Sequence, residues 1–305
     1  MERYKVKWRV AVLRYELCFI ILHYIDTKMT ISCVDMLFQA FMNNKIYIVI
    51  VDNCSPNNSG KTIEEYYSKQ DNVHVIINQK NEGFAKGNNL GYKWAKANVT
   101  SDFMGIINND IIIEQGNCMD IICSEYNKTR FAILGPDILS LATGKHQNPH
   151  RLKGLSIDEV KGEYLELKRR NSHYFLFYTK KRILELLNRE RNSEIGHIKT
   201  MKGIVNPVLH GACIFLSRSF IDVRDVLFNP ETFMFCEEDI LHYECQRDGL
   251  KLLYCPDIQV LHCEDISTKA MICSRYQREK WTSNESMKSL EAFHRIMLND
   301  LGDGE

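Results

Sequence analysis

The run Gly105–Ile113, GIINNDIII, sets Asn108, Asn109 and Asp110 inside a string of isoleucines. A run that apolar belongs in a buried strand, and polar side chains are costly there unless they bind something. A carboxylate ending a central strand can hold a hard divalent cation against a diphosphate, because Mg2+ usually takes one or two carboxylates plus phosphate oxygens. The same residues also suit an Asx turn that simply closes the strand. Asp52 ends a second apolar run, IYIVIVD, and opens the turn cluster NCSPNNSG. Further on, NEGFAKGNNLG places Gly83, Gly87 and Gly91 at four-residue spacing, with Asn81 and Asn89 among them. Glycines so placed let a backbone approach a ligand closely. The spacing is not G-x-G-x-x-G, so a nicotinamide fingerprint is not met.

These residues need a scaffold, and the first half of the chain alternates strand and helix patterns. LCFIILHY (Leu17 to Tyr24) reads as a buried strand, followed by Ile31, Val34, Leu37, Phe38 and Phe41 at helical spacing. IYIVIVDN is a second strand, with a helix over Thr62 to Lys69. VHVIIN is a third strand, AKGNNLGYKWAKA a helix, and FMGIINND a fourth strand. The alternation predicts an α/β fold with a mostly parallel sheet flanked by helices. Each apolar run turns polar at its carboxyl end, at His23-Tyr24, Asp52-Asn53, Asn78 and Asn108-Asn109-Asp110. Ligands bind outside those ends in open parallel sheets. Strands return at Phe131 to Ser140, ACIFLSRSF and LKLLYCPDIQVLH, with a helix over EEDILHYECQRDG.

The chain has 305 residues, 39 Lys+Arg and 39 Asp+Glu, so no general basic charge points to nucleic acid. Eleven cysteines without a CxxC pair predict free thiols in a reducing cytoplasm rather than a disulfide framework or zinc site. The start, MERYKVKWRVAVLRYELCFIILHY, has basic residues before an apolar run, but Arg14 and Glu16 interrupt it and no small-residue cleavage site follows. It reads as a leader into the first strand. From Lys153 to Lys202 the chain is charged and helical in character. Lys161 to Arg191 holds nine Lys/Arg against four Glu, with aromatics in HYFLFYTKKRILELL. That composition suits a solvated helical insertion or a basic amphipathic surface for anionic lipid.

Together VDNCS, NEGFAKGNNLG, GIINND, LHGACIFL and EEDIL…DGLKLLYCPDIQVLH make the chain resemble family 2 glycosyltransferases, enzymes of the GT-A fold. The resemblance covers roughly Leu17 to His262. It implies a GT-A catalytic domain over 1–262, with 153–202 as a helical insertion and 263–305 as a helical tail. GPDILSLATGKHQNP is most similar to enzymes that build bacterial capsule or O-antigen polysaccharides. By this resemblance Tyr24 and Asp52 contact the nucleotide of a UDP- or dTDP-sugar donor, and Gly83, Lys86 and Asn89 follow the nucleotide-sugar. Asn108 and Asn109 belong to the same donor site. Asp110 is the last carboxylate of a DxD-type motif binding Mg2+ or Mn2+, with Asn108 where many members have the first aspartate. His262 matches a histidine beside the metal and diphosphate.

Inverting members of the family use a carboxylate as general base. That base usually lies eleven residues before the glycine closing its helix. Counting back from Gly249 gives Glu238, with Asp239 second; Glu237 completes the acidic run. Burial among Phe233 and Phe235 would raise the base's pKa. The arginine that relatives carry six residues after the base is Glu244 here, with Arg247 a possible substitute on another face. The resemblance implies transfer of a sugar to a hydroxyl of a glycan, lipid-linked, at the inner face of the cytoplasmic membrane. Competing readings are a nucleotidyltransferase, which lacks its Gly-rich basic loop here, and a nucleotide-sugar-binding protein without turnover. A nicotinamide dehydrogenase is the third.

Overall fold

The computed structural model describes residues 14–187, 204–263 and 274–302. The basic leader, the end of the charged insertion and the start of the tail lie outside the described residues.

The strands are β1 (Arg14–His23), β2 (Ile46–Asp52), β3 (Val73–Ile77), β4 (Thr100–Asn108), β5 (Ile111–Ile112), β6 (Ile133–Ser140), β7 (Cys213–Ser217) and β8 (Leu252–His262). The helices are α1 (Thr27–Ala40), α2 (Ser59–Tyr67), α3 (Gly83–Asn98), α4 (Cys118–Thr129), α5 (Ile157–Ser172), α6 (Tyr174–Leu187), α7 (Arg218–Ile221), α8 (Glu237–Arg247) and α9 (Arg275–Gly302). One eight-stranded sheet runs β3-β2-β1-β4-β7-β6-β8-β5. β3, β2, β1 and β4 are parallel, as is the β6–β8 pair. β7 is antiparallel to both its neighbours, and β5 to β8.

Side chains alternate across a strand, so a strand apolar on both parities must be covered on both faces. Leu17, Phe19 and Ile21 of β1 pack with Ile46, Ile48 and Ile50 of β2 against α1, α2 and α4. The alternate residues Cys18, Ile20, Val49 and Val51 face α3, α7 and α8 through Ala85, Tyr92, Phe220 and Leu241. Gly91 makes that second face possible. A Cβ there would lie 2.6 Å from Ile20 Cγ2, and one at Gly87 would lie 2.6 Å from Leu22 Cδ1. These two glycines therefore serve close helix–sheet packing, where the sequence reading gave them to a ligand.

The isoleucine run is not one strand. The chain turns at Asn109-Asp110, and Ile111-Ile112 crosses to the far edge of the sheet to pair with β8. α2 starts three residues earlier than its pattern suggests, inside the turn cluster, with Asn58 left-handed at its N-cap. α5 and α9 pack on one another and on α8 through Val160, Ile240, Leu290 and Phe293. A reciprocal capping box, Ser156 with Glu159, fixes the start of α5.

Candidate active site

A cleft of about 260 Å³ opens at the carboxyl ends of β1, β2 and β4. It is where the strand order reverses and βα loops diverge. Tyr24, Asn53, Gly83, Asn108, Asn109 and Asp110 line it, together with His210, Gly211, Glu237, Glu238 and His262. Phe233, Met234 and Phe235 complete the wall. Backbone at positive φ, uncommon for residues with a Cβ, marks the turns that aim these groups: Ile25 and Cys54 just past Tyr24 and Asn53, then Phe235 and Cys236 before Glu237.

On the strand side, register brings Asp110 to His262. Ile111 pairs with His262 across the β5–β8 ladder, and Cys263 N donates to Asp110 O at 3.0 Å. His262 Nε2 lies 3.3 Å from Asp110 Oδ1. That oxygen is buried and has no hydrogen-bond partner. The other ring nitrogen, Nδ1, is 2.8 Å from Gln147 Oε1, which leaves Nε2 turned towards the carboxylate. A buried carboxylate oxygen without a donor, beside an imidazole nitrogen, fits a divalent cation. Asp110 and His262 would hold it. Among the described residues no three His, Cys, Asp or Glu side chains converge. Further oxygens would come from a diphosphate, the usual coordination of Mg2+.

Asn109 turns away from that pair. Its Nδ2 donates to Thr30 Oγ1, which bonds His23 Nδ1 at 2.7 Å, while His23 Nε2 bonds Ser59 Oγ at 2.8 Å. His23 is fully buried, and burial pushes its pKa down to about 4, against the pull of Asp52 and Asp26. The neutral ring ties together the ends of β1, α1, α2 and β4. Asn109 thus answers partly to this network, while Asn108 lines the cleft.

Asp52, Lys86, Asn89 and Asp239 are not brought to the cleft wall. The Asp52 carboxylate takes Ser55 Oγ–H at 2.5 Å and Ser55 N–H at 3.2 Å, and is buried in its own loop. Its neighbour Asn53 faces the cleft instead. Asn53 Nδ2 donates to Asn81 Oδ1 and Gly83 O, both at 3.0 Å, fastening β2 to the loop before α3. Lys86 is exposed on α3. Asn89 is buried with its amide fully engaged: Oδ1 accepts from Leu227 N and Phe228 N, and Nδ2 donates to Phe228 O at 2.7 Å. Buried backbone groups need such partners, and Asn89 supplies them. Asn53 and His210 stand in motifs of the resemblance without a role assigned to them; the apolar-to-polar switch at VDN is the signal that marks Asn53.

The acidic run at the start of α8 splits three ways because successive helical residues point about 100° apart. Glu238 faces the cleft, its Oε1 accepting from Gly211 N at 3.1 Å. A Cβ at position 211 would lie 2.9 Å from that oxygen, so glycine leaves room for the carboxylate. Asp239 points elsewhere and pairs with Arg151 Nε at 3.2 Å. Glu237 is buried at the cleft floor with Oε1 unpartnered; burial, then the adjacent Glu238, pushes its pKa up to about 8. That shift favours the protonated form of Glu237, which can donate a hydrogen bond. Glu244 faces away from the cleft and bonds Arg224 and Asn229 Nδ2. Arg224 also reaches Asp248 at 2.6 Å. Arg247 pairs with Asp248 and Asp300, and neither it nor Arg224 is among the residues that line the cleft.

The segment before α8 roofs the cleft. Phe233 O accepts from Phe84 N at 2.7 Å, and Gly83, at φ 83°, permits this contact because a Cβ there would sit 2.0 Å from Phe233 O. Behind the roof, Trp281 of α9 packs edge-on against Phe233 and Phe235, and Ser289 Oγ donates to Met234 O at 3.0 Å. The ten described cysteines are all free.

Comparison with known proteins bears on the fold and the family. Low-salt glycan biosynthesis hexosyltransferase Agl10 of Haloferax volcanii is 21% identical over 264 residues, which is 84% of this chain and 73% of that protein. Staphylococcus aureus TarS 1–349 in complex with UDP-GlcNAc superposes with a TM-score of 0.51 at 13% identity, over 82% of this chain and 59% of that one. GalNAc-T7 with UDP, GalNAc and Mn2+ gives 0.53 at 14%, over 82% and 44%. This chain spans less than two thirds of either solved structure, and at such identities the likeness establishes the GT-A fold. The model of the glycosyl transferase family 2 matches residues 18–222, about two thirds of the chain, and the protein belongs to that family.

Proposed function

We propose that this glycosyltransferase is an inverting, metal-dependent enzyme. It moves a hexose from a UDP- or dTDP-sugar to a hydroxyl of a lipid-linked glycan in surface polysaccharide synthesis. One observation carries the reading: a single cleft holds the Asp110 carboxylate, with its Oδ1 unpartnered beside His262, together with the Glu238 carboxylate. The first pair suits a cation on a diphosphate, the second a proton acceptor. The relative named for glycan biosynthesis and the structures titled with UDP, UDP-GlcNAc and Mn2+ support the donor class.

In this mechanism Tyr24 and Asn53 border the nucleotide, with Gly83 letting the backbone come close. Asp110 and His262 would hold a divalent cation at the diphosphate end of the cleft, and such a cation would supply neutralisation of the charge developing on the leaving phosphate. Glu238, oriented by the Gly211 N–H, takes the proton of the acceptor hydroxyl as it attacks the anomeric carbon from the face opposite the diphosphate. No covalent intermediate is needed, and the anomeric configuration inverts. Protonated Glu237 can donate to a sugar hydroxyl without adding charge beside the base.

The test is thermal stabilisation by UDP, dTDP and GDP, each with and without Mn2+, in the wild type and Asp110→Asn. A Mn2+-dependent shift with UDP or dTDP that Asp110→Asn abolishes supports the reading. No shift with any diphosphate, or an equal shift without the metal, overturns it.

A further inference from the structure

Among the described residues, helix α6 leaves an apolar face uncovered. Phe175 and Leu176 are each 65% exposed, Ile183 57% and Leu184 47%. Their spacing puts them on one half of the helix. The opposite half faces α9: Tyr174 and Tyr178 pack around Tyr276, and Lys181 Nζ bonds Glu279 at 2.7 Å. The exposed face is therefore held outward by a fixed inner face.

Charge says what covers it. Residues 168–182, from the last turn of α5 into α6, contain Lys168, Arg169, Arg170, Lys180, Lys181 and Arg182 and no Asp or Glu. Exposed Lys180 sits among the apolar residues, and Leu165 on α5 is 51% exposed beside the basic turn. Among the described residues no helix is long and apolar enough to cross a membrane. A basic helix with one aromatic and aliphatic face is built to lie in an anionic lipid interface rather than span it.

We propose that α6 and the turn joining it to α5 dock on an anionic bilayer surface. Phe175, Leu176, Ile183 and Leu184 enter the headgroup boundary, and the exposed Lys168, Arg169 and Lys180 meet the lipid phosphates. Position gives the docking a use, resting here on the reading of the acceptor as lipid-linked. The stretch of α9 that carries α6 also carries Trp281, which packs on Phe233 and Phe235 of the cleft wall. A docked α6 thus sits one helix away from the cleft, about 10 Å.

Flotation of the full chain with phosphatidylcholine vesicles, alone and with phosphatidylglycerol, tests this. We expect binding only to the anionic vesicles, weakened about 5-fold for each cation removed by Lys168→Gln, Arg169→Gln or Lys180→Gln. Phe175→Ser/Leu176→Ser should lower binding by ~10-fold or more. Both sets should keep the nucleotide-dependent thermal shift of the wild type. A wild type that shifts with nucleotide yet stays unbound to anionic vesicles overturns the docking and leaves the transferase reading standing. Binding indifferent to Phe175→Ser/Leu176→Ser also overturns it. So does a wild-type dimer in light scattering that this double variant dissociates, because the face then meets a second copy of the chain.

Discussion

Replacing Glu238 by Gln separates chemistry from positioning. Glu238 Oε1 accepts the Gly211 N–H at 3.1 Å, and a glutamine carbonyl oxygen can accept the same bond. The side chain keeps its place while losing the ability to take a proton. General-base catalysis contributes about 10²–10⁴ in rate, so Glu238→Gln should lower kcat by that factor, about 3–5 kcal/mol in the barrier. Asp239→Asn is the control. Its carboxylate faces Arg151, whose side chain is 36% exposed, so the pair is partly screened. That variant should lose about 1 kcal/mol of stability and keep turnover within ~3-fold. The assay is release of nucleoside diphosphate in the presence of acceptor, with donor affinity measured separately by calorimetry. Loss of turnover in Asp239→Asn at unchanged donor affinity would refute the assignment, as would near wild-type turnover in Glu238→Gln.

Gly83→Ala combines a left-handed backbone with a Cβ 2.0 Å from Phe233 O, so we expect at least ~1–3 kcal/mol lost in urea unfolding together with weakened nucleotide binding. Glu237 has a folded-state pKa above its ordinary value of 4.5, at about 8, so its stabilising protonated form is complete below 4.5 and lost as pH rises towards 8. Relative to Glu237→Gln, wild-type stability should therefore fall across that interval, and parallel pH profiles would disprove the shift. Arg224 and Glu244 are 13% and 8% exposed, so Arg224→Met strands a buried carboxylate and should cost about 3–5 kcal/mol. Arg224→Met/Glu244→Leu should recover most of that, as read by thermal unfolding.

Much of the fold was legible because its signals are local. The continuous apolar runs of β1 and β2, apolar on both parities, require helices on both faces, and the core clusters divide along that parity. Polar residues ending β1, β2 and β4 converge on one cleft because parallel strands share a carboxyl edge. Not every polar residue of the motifs faces the cleft. Asn89 and Asp52 are spent on buried backbone and hydroxyl groups of neighbouring loops. Nothing local distinguishes an asparagine that bonds a ligand from one that satisfies a distant strip of main chain.

The amino-acid order alone therefore determined the sheet, its helices and the edge at which polar groups collect, since steric periodicity and burial act within a few residues. Tertiary structure decided which of those groups meet. Asp110 lies beside His262 only because β5 crosses to the far edge and pairs with β8. Glu238 rather than Asp239 faces the cleft because α8 is packed with one rotation about its axis, fixed by Ile240 against α5 and α9 and Leu241 against the sheet. Both outcomes depend on contacts between segments far apart in the chain, and a residue's type and immediate neighbours carry no record of them.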